Sequence, residues 1–125
     1  MQFVFLLYAD EAAWESMDPE AVGAVMAGHD AVTESMKAQG AYLGGEALEL
    51  SKTASTVRVR EGKALISDGP FIEAKEMLGG FYLAECESRE EALAWAARIP
   101  EASSGAIEVR PIMDLAALES GDGGA

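Results

Sequence analysis

Lys63-Ala64-Leu65-Ile66-Ser67-Asp68-Gly69-Pro70-Phe71 is a short apolar run stopped by concentrated turn chemistry. Asp can bond to nearby backbone groups, Gly tolerates positive φ, and Pro fixes its own φ while removing a donor. Immediately upstream, Ser55 to Arg60 alternates, with Val57 and Val59 expected inward and Thr56, Arg58 and Arg60 outward. Glu61-Gly62 joins the two runs, which predicts a β-hairpin with one wet face. Downstream, a connecting segment with room for one helical turn reaches Gly79-Gly80 and a second apolar strand, Gly80 to Cys86.

On either side of the hairpin the chain repeats one pattern. Gln2 to Tyr8 is apolar on both alternating faces, as a central strand is. A loop carrying Asp10, Glu11 and Trp14 leads to Asp18-Pro19-Glu20, where an N-cap, a first-turn proline and a first-turn acid predict a helix start. Val22, Val25, Met26, His29, Val32 and Met36 form its apolar stripe, and Gly40 ends it. Ala41 to Leu50 is expected as a strand, with Gly44-Gly45 marking a bulge or a close backbone approach. After the hairpin and the strand Gly80 to Cys86, Ser88-Arg89-Glu90-Glu91 predicts a capping box in which Glu91 reaches the Ser88 amide. The second helix buries Ala92, Trp95, Ala96 and Ile99 and stops at Pro100; Glu101 to Gly105 is expected as a loop before a last strand, Ile107 to Met113.

The order is therefore β-α-β, hairpin, β-α-β: a ferredoxin-like α+β sandwich, with both helices on one face of an antiparallel sheet. A chain of 125 residues holds one such domain, residues 1–114, and the remainder, 115–125, is expected as a flexible tail with at most one helical turn. The two doubly apolar strands would leave the helix-free face of the sheet as an exposed apolar patch. A homodimer through that face removes it.

The segment from Asp68-Gly69-Pro70-Phe71 to Gly79-Gly80-Phe81-Tyr82 resembles the YCII-related family, in particular its DGPF subgroup of small bacterial proteins, and the likeness runs from the first strand through Met113. The resemblance implies a dimeric α+β barrel of two ferredoxin-like protomers. It also implies a role for the histidine: in the wider family a histidine at this distance before the helix end pairs with an aspartate as a catalytic dyad. His29 and Gly40 match that spacing. A Tyr-Ala-x-Asp-like ending to the first strand corresponds to Tyr8-Ala9-Asp10, offset by one residue, so that Glu11 is the alternative counterpart. Proteins of the DGPF type resemble partners of alternative sigma factors, which implies a second role as a regulatory accessory.

His29 is the only histidine, and so the only side chain that titrates near neutrality without perturbation. As an acid or base it needs an orienting carboxylate; Asp10 and Asp68 are the catalytic candidates beside it, while Asp68 can equally serve only as a turn residue. Tyr8, Glu11, Glu46, Phe71 and Tyr82 are the remaining pocket candidates, with Arg58 and Lys75 as anchors for an anionic ligand. Equally ordinary readings are a packed histidine and solvated charges.

The net charge of −13 and nine scattered basic residues argue against a nucleic-acid partner. A lone Cys86 precludes an intrachain disulfide and is expected to be an inert buried thiol. Gln2 to Tyr8 is too short for a signal peptide or membrane span, which points to a cytoplasmic protein. Nucleotide-binding glycine fingerprints, P-loops and nucleophile elbows do not occur, and one His with one Cys cannot build an ordinary zinc site. No cofactor is expected, with a carboxylate-rich magnesium site as the open alternative. Two functions follow: an enzyme performing acid–base chemistry on a small organic molecule in a cleft within the protomer, or a non-catalytic ligand-binding or sigma-factor-associated dimer.

Overall fold

A computed structural model describes residues 1–119. Its main sheet has four antiparallel strands: β1 (Gln2–Asp10), β2 (Tyr42–Ala47), β5 (Glu76–Glu85) and β6 (Ala106–Pro111), in the order β2-β5-β1-β6. This is the ferredoxin-like order, with the inserted hairpin, β3 (Ser55–Arg60) and β4 (Lys63–Asp68), forming a separate two-stranded sheet.

Alternation along β1 and β5 sorts the side chains. Phe3, Phe5, Leu7, Tyr82 and Ala84 are buried on one face, where they meet Val32 and Met36 of α2 (Pro19–Ala38) and Ala92, Trp95 and Ile99 of and just beyond α3 (Arg89–Ala96). Both long helices thus cover the same face. On the other face Val4 opposes Leu83 and Leu6 opposes Phe81, all half-buried in the single chain.

The caps follow from the sequence. Asp18 accepts a bond from the Ala21 amide at 2.8 Å, and Pro19 occupies the first turn of α2. At the other end Gly40 takes φ +72°, and the amides of Gly40 and Ala41 bond the carbonyls of Lys37 and Met36, the paired bonds of a Schellman motif. Ser88 caps α3 by accepting from the Glu91 amide; the Glu91 carboxylate, however, reaches the Glu87 amide rather than that of Ser88. Gly45 is the close approach read from Gly44-Gly45: a Cβ there would stand 2.7 Å from the Phe81 carbonyl oxygen, whereas Gly44 has open space. The register shift between Tyr42 and Gly44 is the expected bulge.

Three expectations change. The loop after β1 contains a short helix, α1 (Glu11–Glu15), and the loop after Pro100 contains another, α4 (Glu101–Ser104). Both are single turns whose lengths carry no hydrophobic period. Val57 and Val59 do not point inward: they are 61% and 60% exposed, because the hairpin leaves the main sheet and its apolar side meets no core in this chain. Beyond β6, Asp114 caps α5 (Leu115–Glu119), the one helical turn allowed by the sequence; the rest of the expected tail, 120–125, lies outside the described residues.

At the Asp68-Gly69-Pro70-Phe71 turn, Gly69 has φ +97°, a conformation that side chains resist. Its amide bonds the Ala54 carbonyl at 2.7 Å, and its carbonyl accepts from the Thr56 hydroxyl at 2.9 Å. These bonds to Ala54 and Thr56, with no bond from the Asp68 side chain among the described residues, close the base of the hairpin.

Candidate functional site

A cavity of about 360 Å³ opens between α2, β2 and the start of β5, near the small end of ligand pockets, which run from about 300 to 1,000 Å³. It exists because the N-terminal half of α2 overhangs the sheet rather than packing on it. Val32 and Met36, later in the helix, are fully buried, while Met26 is 46% exposed at the cavity lip.

His29 sits at the wall, one turn before the buried part of the helix. Its Nε2 lies 2.8 Å from Oε1 and 3.0 Å from Oε2 of Glu101, and its Nδ1 lies 2.7 Å from the Tyr82 hydroxyl. The Nε2 hydrogen is aimed at Oε2, so Oε1 makes the closer charge contact without a hydrogen bond of its own. The side chains of His29 and Glu101 are only 17% and 18% exposed, which strengthens the attraction over that of a surface pair.

The chemistry of the acid fixes the direction of the bonds. Burial by itself raises the pKa of Glu101, but the hydrogen bond and charge of His29 outweigh it and hold the carboxyl below the usual carboxylate range. An ionised carboxylate only accepts, so Nε2 carries a hydrogen. With neutral imidazole, Nδ1 then accepts from the Tyr82 hydroxyl; with imidazolium, it donates to it. Burial raises the Tyr82 pKa, opposed by the Thr33 hydroxyl and reinforced by the charges of Glu101 and Asp30. The phenol is thus held protonated, as a proton donor must be. Tyr82, His29 and Glu101 form one chain of hydrogen bonds ending at the cavity.

What brings these residues together is partly the absence of a side chain. Gly28, next to His29, allows α2 to approach Pro100, whose ring would stand 2.8 Å from a Cβ at that position. Pro100 in turn delivers Glu101 to His29. The carboxylate partner is therefore Glu101, and the expected pairings with Asp10, Glu11 or Asp68 do not form. Asp10 caps α1, accepting from the amides of Ala12 and Ala13. Glu11 does line the cavity, but its carboxylate ties α1 to the turn after β2, accepting the Ser51 amide at 2.7 Å and the Ser51 hydroxyl at 2.5 Å. Asp68 is exposed at the base of the hairpin.

Of the other candidates, Tyr82 and Glu46 line the cavity and the rest do not. Tyr8 donates to Glu108 at 3.3 Å and borders a separate shallow depression with Lys75. Arg58 stacks on Phe71, 4.7 Å from the ring centroid, at the hairpin. Neither expected anion anchor reaches His29. Sequence reading missed Glu101, Trp14, Asp30, Thr33 and Tyr42 in the wall. Asp30 and Thr33 were within reach, since they share the turns of α2 that carry His29; the remainder arrive from distant elements.

Cys86 is buried and burial raises its thiol, the environment of an unreactive cysteine. Among the described residues no three His, Cys, Asp or Glu side chains gather as a metal set, and no helix is long and apolar enough to cross a membrane.

A family model, the YCII-related domain, matches residues 1–116 of the chain. An uncharacterised protein of Rhizobium meliloti (strain 1021) is 36% identical over 114 residues, covering 90% of this chain and 92% of the relative.

Proposed function

The chain belongs to the YCII-related family, and on that premise we propose that it is an enzyme performing acid–base chemistry on a small organic molecule bound in the cleft beside α2. The observation that carries this reading is the Tyr82–His29–Glu101 chain at the cavity wall. Both ring nitrogens of His29 are occupied within the protein, so the Tyr82 hydroxyl is the end of the relay nearest a ligand. Tyr82 exchanges a proton with the substrate, His29 takes up or returns it, and Glu101 steadies the charge on the imidazole. Such a positioned acid or base contributes about 10²–10⁴-fold to a rate.

We further propose that the protein is a member of the DGPF subgroup, a reading supported by the Asp68-Gly69-Pro70-Phe71 motif, whose glycine adopts φ +97°. It works as a homodimer joined through the helix-free face, where Val4, Leu6, Phe81 and Leu83 supply the apolar surface. A cytoplasmic location fits the absence of any spanning helix among the described residues.

The test is a screen of small organic molecules by thermal shift, followed by product analysis on those that bind. Binding to the folded state raises the melting temperature. His29→Ala and Tyr82→Phe are expected to abolish turnover. Binding by the wild type without conversion of any bound molecule supports the accessory, ligand-sensing role instead. Equal conversion by wild type and both variants refutes the relay.

A further inference from the structure

The cavity wall is charged in one sense only. Glu11, Asp30, Glu46 and Glu101 all line it, and none of its lining residues is Lys or Arg. Three of the basic side chains are placed elsewhere: Arg58 stacks on Phe71, Lys75 borders the other depression, and Lys37 lies 5.3 Å over the ring of Tyr42 without lining the cavity. His29, when protonated, can offset one of the carboxylates, that of Glu101. The Glu11 oxygens are hydrogen-bonded by Ser51, which spreads that charge without cancelling it, and Asp30 receives no hydrogen bond among the described residues.

Apart from Thr33, the remaining side chains of the wall are apolar or aromatic, with Trp14 exposed at 38%, Tyr42, Val25, Met26 and Met77 around the space. A partly closed, low-dielectric cleft concentrates the field of its charged groups. Within such walls a carboxylate or phosphate ligand is repelled, an uncharged one gains only apolar contact, and a cation gains both charge attraction and aromatic contact. The charges of Glu101 and Asp30 are already felt at the Tyr82 hydroxyl, where they reinforce the effect of burial in raising it.

We infer that the ligand of this cavity is a small organic cation: an amine, protonated at neutral pH, on an apolar or aromatic body. This rests on the cavity being the acid–base site proposed above, and it adds the chemical class that the site selects. An ammonium group finds acceptors in the wall carboxylates, and the ring or alkyl body fills the space beside Trp14 and Tyr42.

The experiment compares three molecules of nearly one shape: benzylamine, benzyl alcohol and benzoate, titrated into the full-length protein at about pH 7 and followed by NMR. Benzylamine is expected to bind about tenfold more tightly than benzyl alcohol, a difference of one decade in dissociation constant. Its shifts should centre on Tyr82 and the amides around His29, and benzoate should not bind there. Raising the salt concentration weakens benzylamine and leaves benzyl alcohol unchanged, and Asp30→Asn reduces the preference for the amine. Equal or tighter binding of the alcohol or of benzoate at the same residues overturns the charge selection while leaving the relay standing. Benzylamine shifts mapping away from the cavity, or none with any of the three, also overturn it. The relay fails on a separate result: conversion of a screened substrate that survives both Tyr82→Phe and His29→Ala.

Discussion

Replacing Glu101 by Gln tests the part of the site that no short-range sequence pattern reveals. Glutamine keeps the shape and one acceptor oxygen for the Nε2 hydrogen, so the 2.8–3.0 Å contact survives while the charge is lost. A hydrogen bond to a charged partner contributes about 1.5–3 kcal/mol and a neutral one about 0.5–1.5 kcal/mol, so the expected loss is about 1–1.5 kcal/mol. With an unfolding entropy of about 0.26 kcal/mol/K for a domain of this length, the melting temperature falls by about 4–6 °C near neutral pH. Because the folded Glu101 titrates below its unfolded value of 4.5, its contribution is full above that value and disappears as pH falls through the folded one. Thermal unfolding of wild type and variant from about pH 6 to about pH 3 measures this directly, since the other carboxylates titrate in both proteins and cancel in the difference. The two melting temperatures should converge at the acid end. A gap that stays constant throughout, or no gap at any pH, refutes an ionised Glu101 bonded to His29.

Tyr82→Phe keeps the packed ring and removes only the hydroxyl; stability should fall by about 1 kcal/mol, since water in the cavity can replace the lost bond, while ligand turnover is lost. A fall of several kcal/mol with turnover intact would assign Tyr82 a packing role. Gly69→Ala should cost about 1 kcal/mol in urea unfolding, because φ is +97° while a Cβ there meets nothing within 4 Å, so strain acts alone; unchanged stability would show that the turn does not require glycine. Gly45→Ala, with a Cβ 2.7 Å from the Phe81 oxygen and 2.9 Å from the Tyr82 ring, should cost about 1–3 kcal/mol and displace Tyr82, read as altered NMR shifts of His29. Light scattering at micromolar concentration should give twice the chain mass, and Leu83→Asp should return the single-chain mass; a wild-type monomer ends the dimer reading.

The layers of the fold were legible because each element announced itself locally. Asp18-Pro19 and Gly40 bounded α2, and the doubly apolar runs Gln2 to Tyr8 and Gly80 to Cys86 marked the two central strands. What escaped were structures of a single turn. The residues of α1 and α4 are too few to show a period, so Asp10 looked like a free carboxylate when it was a cap, and Glu101 looked like part of a loop. His29 stood out as the single histidine on the apolar stripe of α2, and the family resemblance made it a site candidate. Its partner is separated from it by 72 residues and arrives through Gly28 meeting Pro100, a fit of surfaces that leaves no spacing in the chain. The hairpin misled in the other direction: alternation in β3 promises a buried side, but only a neighbouring surface can make it one.

The occupancy of both imidazole nitrogens also governs how His29 behaves toward reagents other than a substrate. Electrophiles that modify histidine, and transition-metal ions that bind it, need an imidazole lone pair. In the neutral ring that pair lies on Nδ1 and already receives the Tyr82 hydroxyl hydrogen; on Nε2 the position is taken by the hydrogen given to Glu101. A scavenging zinc or nickel ion must therefore break a short internal bond before it gains a ligand. The same two bonds that the proposed relay would use thereby hinder metal capture by the ring, even in a cleft rich in carboxylates.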